Sequence, residues 1–426
     1  MERNLFKYMM VTLGGLFLWA CSPDDYTYHD NDHVDVSRIG KVVLKPNHTF
    51  LLADGQAQLD LRPVVFTKEG YEIPDERVKE EWLEYSSVPS LSLERHFSVS
   101  DAALTGKEIS VKVKIKGTEV ESEAVKFQVV APLDKKYTSE IRIPIVFHVL
   151  QTTEDIEKFG GVYTADRIQM ILNKLNNVFE GKVSVNPVGV NTHIRFEYAQ
   201  YDPDGKKMMN PGINYQTSDS IDIADNYYDF LKQKHVLWPS GRYMNVWLIS
   251  DRAQDISDFG AMISDDCQPQ YVYAGTNLNE APEGIDWTEY AEGSELPLNE
   301  LGVRYKLQEL DAMDRAFGDS GPTVNELIYY IGRYLGLLPT FNYGTIAGND
   351  YCADTQDYTP DPFATGGNKS WYKEVNGCYF RAENIMDDPK GVHCSVSKNQ
   401  CERIRWILEN CPGRSFWKND FAFTGK

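Results

Sequence analysis

The sequence predicts an α+β chain: an all-β sandwich over residues 38–132, then a larger domain over 141–426 built on a mixed twisted sheet with a few helices. Three observations predict it. Short apolar alternations punctuated by glycine turns fill the first stretch. The apolar run from Ile141 to Leu150 is followed by helical spacing from Thr164 to Phe179. A second amphipathic spacing starts after Pro322 and ends near Gly336, where a helix must turn.

Taken in order, the chain opens with Arg3 and Lys7 before the mostly apolar run from Met9 to Ala20. This is a signal-peptide pattern, too short for a comfortable membrane-spanning helix. Leu18-Trp19-Ala20-Cys21 resembles a bacterial lipobox. The resemblance implies that residues 1–20 are a lipoprotein signal peptide and that Cys21 carries the lipid. Residues 21–37 are polar and acidic and read as a flexible tether, with His29 and His33 among aspartates. Such a run resembles the surface-export tethers of Bacteroidetes lipoproteins, which implies an exported chain anchored at the outer membrane or cell surface.

Length, 426 residues, allows two or three domains, and 42% apolar residues allow a packed core. The net charge of −20 argues against nucleic-acid partners, since no basic patch offsets it. Six further cysteines, Cys267, Cys352, Cys378, Cys394, Cys401 and Cys411, permit 15 disulfide pairings in an oxidising compartment. The sequence leaves these open. Cys394 with Cys411 would staple a helix, and Cys352 with Cys378 would close one loop.

In the first domain, alternations at 41–44, 57–61, 109–115 and 125–130 are separated by Asp54-Gly55, Glu69-Gly70, Thr105-Gly106 and Lys116-Gly117. The stretch resembles bacterial Ig-like domains, which implies a spacer or docking module, with glycan binding as an alternative. Residues 133–140 read as a linker. The second domain opens with the strand from Ile141, in which His148 reads as a packed core histidine rather than a ligand. A helix over 164–179, strands over 193–198 and 244–249 and a helix over 223–234 follow. Phe259 to Ile263 is a candidate edge strand. Gly318-Asp319-Ser320-Gly321 is not a serine-peptidase site, because it leads straight into a helix start and has no triad context.

That helix is the centre of the chain. Thr323 and Glu326 have capping-box spacing, and Leu327, Ile328, Ile331, Leu335 and Leu338 form one apolar face. The segment from Tyr329 to Phe341 resembles the zinc signature of pappalysin-like metzincins, His-Glu-x-Gly-His-x-x-Gly-Leu-x-His. Gly332, Gly336, Leu337, Thr340 and Phe341 keep its frame. Its chemistry is replaced. Tyr329, Arg333 and Pro339 stand at the three ligand positions and Tyr330 at the general-base position. Arginine keeps its proton and proline has no side-chain donor. A phenol, with a pKa of about 10, binds metal poorly near neutral pH.

Further matches follow in order. Asp350, Asp354 and Thr355 match an Asp-rich loop that holds calcium in some relatives, with Gln356 in place of a proline. Asn384-Ile385-Met386-Asp387-Asp388 resembles the Met-turn, centred on Met386. Residues 397–409 resemble the closing helix. The resemblance covers about 141–412 and implies a peptidase fold without its zinc. Arg333 is expected to pair with Asp354 or Asp387 or to stack on Tyr329; the alternative is that both residues have drifted onto the surface. The expected function is non-catalytic binding of a peptide, protein or glycan from a lipid-anchored surface position. The alternatives are an active zinc endopeptidase using non-standard ligands such as His148, His193, His235 or His393, and a purely structural outer-membrane component.

Overall fold

The computed structural model describes residues 35–160, 164–219, 234–250, 302–307, 322–341, 350–359, 372–375, 378–388, 391–410 and 412–426. It is an α+β chain with several sheets and few helices. Two compact units divide it. The first takes Met1–Leu44, Pro63–Tyr85 and Lys112–Glu123, and the second takes the remainder. The signal peptide and tether, Cys21, Cys267, Cys411, the helix expected over 223–234 and the edge strand expected over 259–263 lie outside the described residues.

The N-terminal strands are β1 (Ile39–Pro46), β2 (Phe50–Leu52), β3 (Leu59–Thr67), β4 (Glu72–Ile73), β5 (Leu83–Val88), β6 (His96–Phe97), β7 (Glu108–Ile115) and β8 (Val125–Val130). One four-stranded sheet runs β1-β3-β4 with β6 on β3, and another runs β2-β8-β7-β5. β7 alternates between buried and outward residues, the period-2 pattern that marks its sequence as a strand with one core face. In the first unit Val65, Ile73, Trp82, Val113 and Ile115 are buried. In the second, Phe97 and Phe127 pack ring to ring at 6.0 Å.

The second unit is organised on β9 (Ile141–Gln151), which is buried along nearly its whole length. Strands buried on both faces read as continuous apolar runs, and this one does. On one edge it pairs with β12 (Met244–Ser250), which in turn pairs with β13 (Gly302–Leu307). On the other edge it pairs first with β10 (Ile194–Tyr198) and then with β11 (Ile213–Thr217). All these pairings are parallel, so the five described strands do not form the mixed sheet that the sequence led us to expect. Strand direction depends on how the chain crosses between strands, and apolar periodicity carries no record of it.

Two helices follow β9: α1 (Thr153–Phe159) and α2 (Ala165–Phe179). Thr164 caps α2 as expected, accepting from Arg167 N, and Ile168, Ile171, Leu172, Leu175 and Val178 face the core. The Asn176 amide grips the Phe196 backbone at both N–H and C=O, tying α2 to β10. Helix α3 (Pro322–Tyr334) begins on Pro322. Thr323 therefore lies inside the helix rather than at its cap, because proline is suited to the first helical position.

The far end of α3 is closed by two buried arginines. Gly336 turns the chain at φ +91°. Arg403, from α4 (Lys398–Asn410), donates Nε to Gly336 O at 2.6 Å. Arg414 donates Nε to Tyr334 O at 2.8 Å and lies 3.7 Å over the Tyr334 ring. Cations here satisfy orphan carbonyls and complement the helix dipole. A hairpin of β14 (Tyr372–Val375) and β15 (Cys378–Arg381) and a last turn, α5 (Phe421–Thr424), complete the described elements.

Of the pairings the sequence left open, Cys352 with Cys378 does not form: Cys352, Cys378, Cys394 and Cys401 are free thiols, and Cys411 lies outside the described residues. Burial pushes the Cys394 thiol up to about 11. Pairing depends on which side chains the fold brings together, and spacing alone does not decide that.

Gly212 turns into β11 at φ +67°, and a Cβ there would lie 2.2 Å from the Tyr198 ring. Gly212→Ala is expected to destabilise the protein by about 2–4 kcal/mol, from left-handed strain plus overpacking. The urea midpoint checks this, and an unchanged midpoint would contradict the close approach.

Candidate functional site

Helix α3 places Tyr329, Tyr330 and Arg333 on consecutive turns, with Tyr329 and Arg333 at i and i+4. None of them has drifted to the surface: Tyr329 is 4% exposed, Tyr330 9% and Arg333 2%. Pro339 is buried as well. Arg333 donates Nη1 to Tyr329 Oη at 3.2 Å, and its guanidinium carbon stands 5.9 Å from the Tyr329 ring centre. Tyr329 also meets Tyr330 edge-on at 5.4 Å and stacks with His393 at 6.2 Å.

The structure decides between the expected partners of Arg333. The ring is Tyr329; neither Asp354 nor Asp387 pairs with it. Asp387, fully buried, receives Lys373 Nζ on both carboxylate oxygens at 3.1 and 3.0 Å. It also accepts from Thr340 Oγ1 at 2.6 Å and from Asn384 N at 3.0 Å. Asp354 accepts from Ser397 Oγ at 2.6 Å and Asn399 N at 2.9 Å, at the start of α4. A carboxylate there meets the unsatisfied N–H groups of a helix N-terminus. Arg333 is left with an Nε that has no acceptor.

Met386 lies directly beneath α3. A Cβ on Gly332 would come 2.8 Å from the Met386 sulfur, so glycine at that position is what lets the turn approach. The turn is tied by Met386 N to Asn384 Oδ1 and Asp387 N to Asn384 O. Thr340 N donates to Met386 O at 3.0 Å and joins the chain after the helix to the turn.

At the positions where the sequence resemblance implies zinc ligands and a base, the residues present do not fit a zinc ion. The Tyr329 hydroxyl is engaged by a cation, Arg333 offers only donors, and Pro339 offers nothing. Among the described residues no group of three or more His, Cys, Asp or Glu is gathered as a metal site.

Asp350 and Thr355 are brought together, with Thr355 Oγ1 donating to Asp350 at 2.7 Å and Cys352 N donating at 3.0 Å. Burial pushes the Asp350 carboxyl up to about 7 and that of Asp354 up to about 6. Gln356 donates to Thr49 Oγ1 at 2.9 Å.

His148 is a packed core residue. It is fully buried and edge-on to Trp238 at 5.1 Å. Its Nε2 donates to Asn245 Oδ1 at 2.9 Å, and Nδ1 accepts from Asn214 Nδ2 at 3.1 Å. Burial lowers it to about 4. His193 and His235 do not join the α3 face, and each adopts a left-handed φ in a turn. His393 does join it, with Nε2 donating to Asp388 O at 2.8 Å. The sequence named His393 without placing it. Lys373 was missed altogether: a lysine in a short strand reads as an exposed residue until its carboxylate partner is known.

No family model and no curated protein matches the chain. Among solved structures it is similar to mirolysin in complex with a compound, at 17% identity and TM-score 0.42, over 67% of this chain and 98% of that one. It is similar to a Tannerella forsythia promirolysin mutant at 18% identity and TM-score 0.42, over 67% and 86%. It is also similar to T. forsythia mature mirolysin in complex with a cleaved peptide, at 18% and 0.40, over 67% and 97%. These values are too low to place the chain in a family.

Two outcomes follow from this geometry. Lys373→Met leaves Asp387 buried without its cation and is expected to cost about 3–5 kcal/mol in chemical denaturation; a silent substitution would refute the pair. His148 carries a lowered pKa, so the unfolded chain takes up its proton first as acid is added. Its contribution is full above pH ~6.5 and is lost as pH falls toward about 4. The stability difference between wild type and His148→Gln is expected to shift toward the variant by on the order of 3 kcal/mol between pH 7.5 and pH 4.

Proposed function

We propose that the chain is a lipid-anchored surface protein whose second part is a metallopeptidase-like, metzincin-type fold that binds without cleaving. One observation carries this reading. A helix with the glycine frame of a zinc signature lies over a methionine turn, while its ligand face holds a tyrosine bonded to an arginine. A zinc-bound water needs three donor ligands and a neighbouring base, and here the corresponding positions are Tyr329, Arg333, Pro339 and Tyr330.

The ligand on this reading is a peptide, a protein or a glycan. The N-terminal strands act as an Ig-like sandwich that spaces or docks the chain, and Cys21 attaches it to the membrane. Asp350, Asp354 and Thr355 remain a proposed calcium loop, supported by their oxygen-rich side chains and opposed by the internal donors those carboxylates already accept.

Purified protein is expected to contain no stoichiometric zinc by elemental analysis and to show no chelator-sensitive peptide cleavage. One zinc per chain together with cleavage abolished by chelator would overturn the proposal. The frame itself is tested by restoration. Tyr329→His, Tyr330→Glu, Arg333→His and Pro339→His together are expected to bind one zinc ion. A folded variant that takes up none would show that the frame is not that of a zinc site.

A further inference from the structure

Arg333 is a buried cation with an unfinished set of hydrogen bonds. It is 2% exposed, and Nε has no acceptor. Its hydrogen bond is to the neutral Tyr329 hydroxyl, and no described carboxylate pairs with it. Four other cations of this unit at 5% exposure or less each have a carboxylate or a backbone carbonyl, although Arg414 also keeps Nη2 without an acceptor. Lys373 has Asp387. Arg403 and Arg414 have helix-end carbonyls. Arg405 donates to Thr192 O and Ser139 O. A charge out of water without compensation is among the most costly arrangements a fold can hold.

From this we infer that the Arg333 face of α3 is an anion site that takes a single carboxylate, presented by a peptide ligand. The inference rests on the proposed peptide-binding reading for the source of the carboxylate, and on Arg333 alone for the site. A guanidinium presents Nε and a terminal nitrogen as a planar fork, which matches the two oxygens of a carboxylate. With Nη1 given to Tyr329, the edge that includes Nε is the one left for a ligand. One cation balances one negative charge, so a monoanion fits better than a phosphate dianion. Tyr329, Tyr330 and His393 would wall the site with rings, lowering the dielectric around the pair.

The test uses the full chain in two assays. The first compares thermal unfolding in sodium acetate with sodium chloride at equal ionic strength. A saturable acetate-specific rise in Tm is expected in wild type and none in Arg333→Met. In chloride, Arg333→Met is expected to be no less stable than wild type, because the substitution removes an uncompensated charge. Should that variant fail to fold, Arg333→Lys keeps the charge without the fork and is expected to weaken acetate binding about tenfold. No acetate-specific rise, or an equal rise in the variants, overturns the site.

The second assay offers three random heptapeptide pools: neutral with a free C-terminus, neutral and amidated, and acidic and amidated. Arg333-dependent preference for the first identifies a terminal carboxylate, and for the third an acidic side chain; both support the inference. Equal binding of all three pools overturns it and leaves peptide binding standing. An acetate effect without binding of any pool keeps the anion site and removes the peptide reading.

Discussion

Asp387 holds together three pieces of chain that share no regular element. Its two oxygens receive Lys373 from the β14–β15 hairpin, Thr340 from the segment after α3, and the Asn384 N–H of its own turn. With no exposure to solvent, the carboxylate needs all of them. Its position fixes the turn that carries Met386, and Met386 in turn supports α3 at Gly332. The candidate site therefore depends on an ion pair that the sequence does not announce.

The second unit disposes of its most deeply buried cations, those at 5% exposure or less, in three ways. Carboxylate pairing serves Lys373. Backbone carbonyls at helix and strand ends serve Arg403, Arg405 and Arg414, where the partial negative charge of exposed C=O groups does the work of an acid. Among the described residues Arg333 has a phenol as its hydrogen-bond partner. That asymmetry sets this face of α3 apart from the rest of the core and is the ground of the proposed anion site. A helix face with no remaining role would be expected to fill with apolar side chains, which pack there at no electrostatic cost.

Several elements were legible in the sequence. The strand from Ile141, the Thr164-capped helix, the strands at 194 and 244, and the closing helix stand where periodicity put them. Each writes its own core face into a short window, so local pattern suffices. The packed state of His148 was also anticipated. The start of α3, the parallel pairing of the sheet and the free thiols were not, because each turns on chain crossings or neighbours far away in sequence.

By itself the sequence determined what this face of α3 and the segment after it offer: two phenols, a guanidinium and an imino-acid ring. Side-chain chemistry is a property of residue type, and no fold alters it. Only the tertiary structure decided that Arg333 is buried, that Asp387 is spent on Lys373 and Asp354 on the start of α4, and that His393 reaches Tyr329. Burial and partnership come from residues tens of positions apart meeting in space, and the cost of an unpaired charge exists only once water has been excluded.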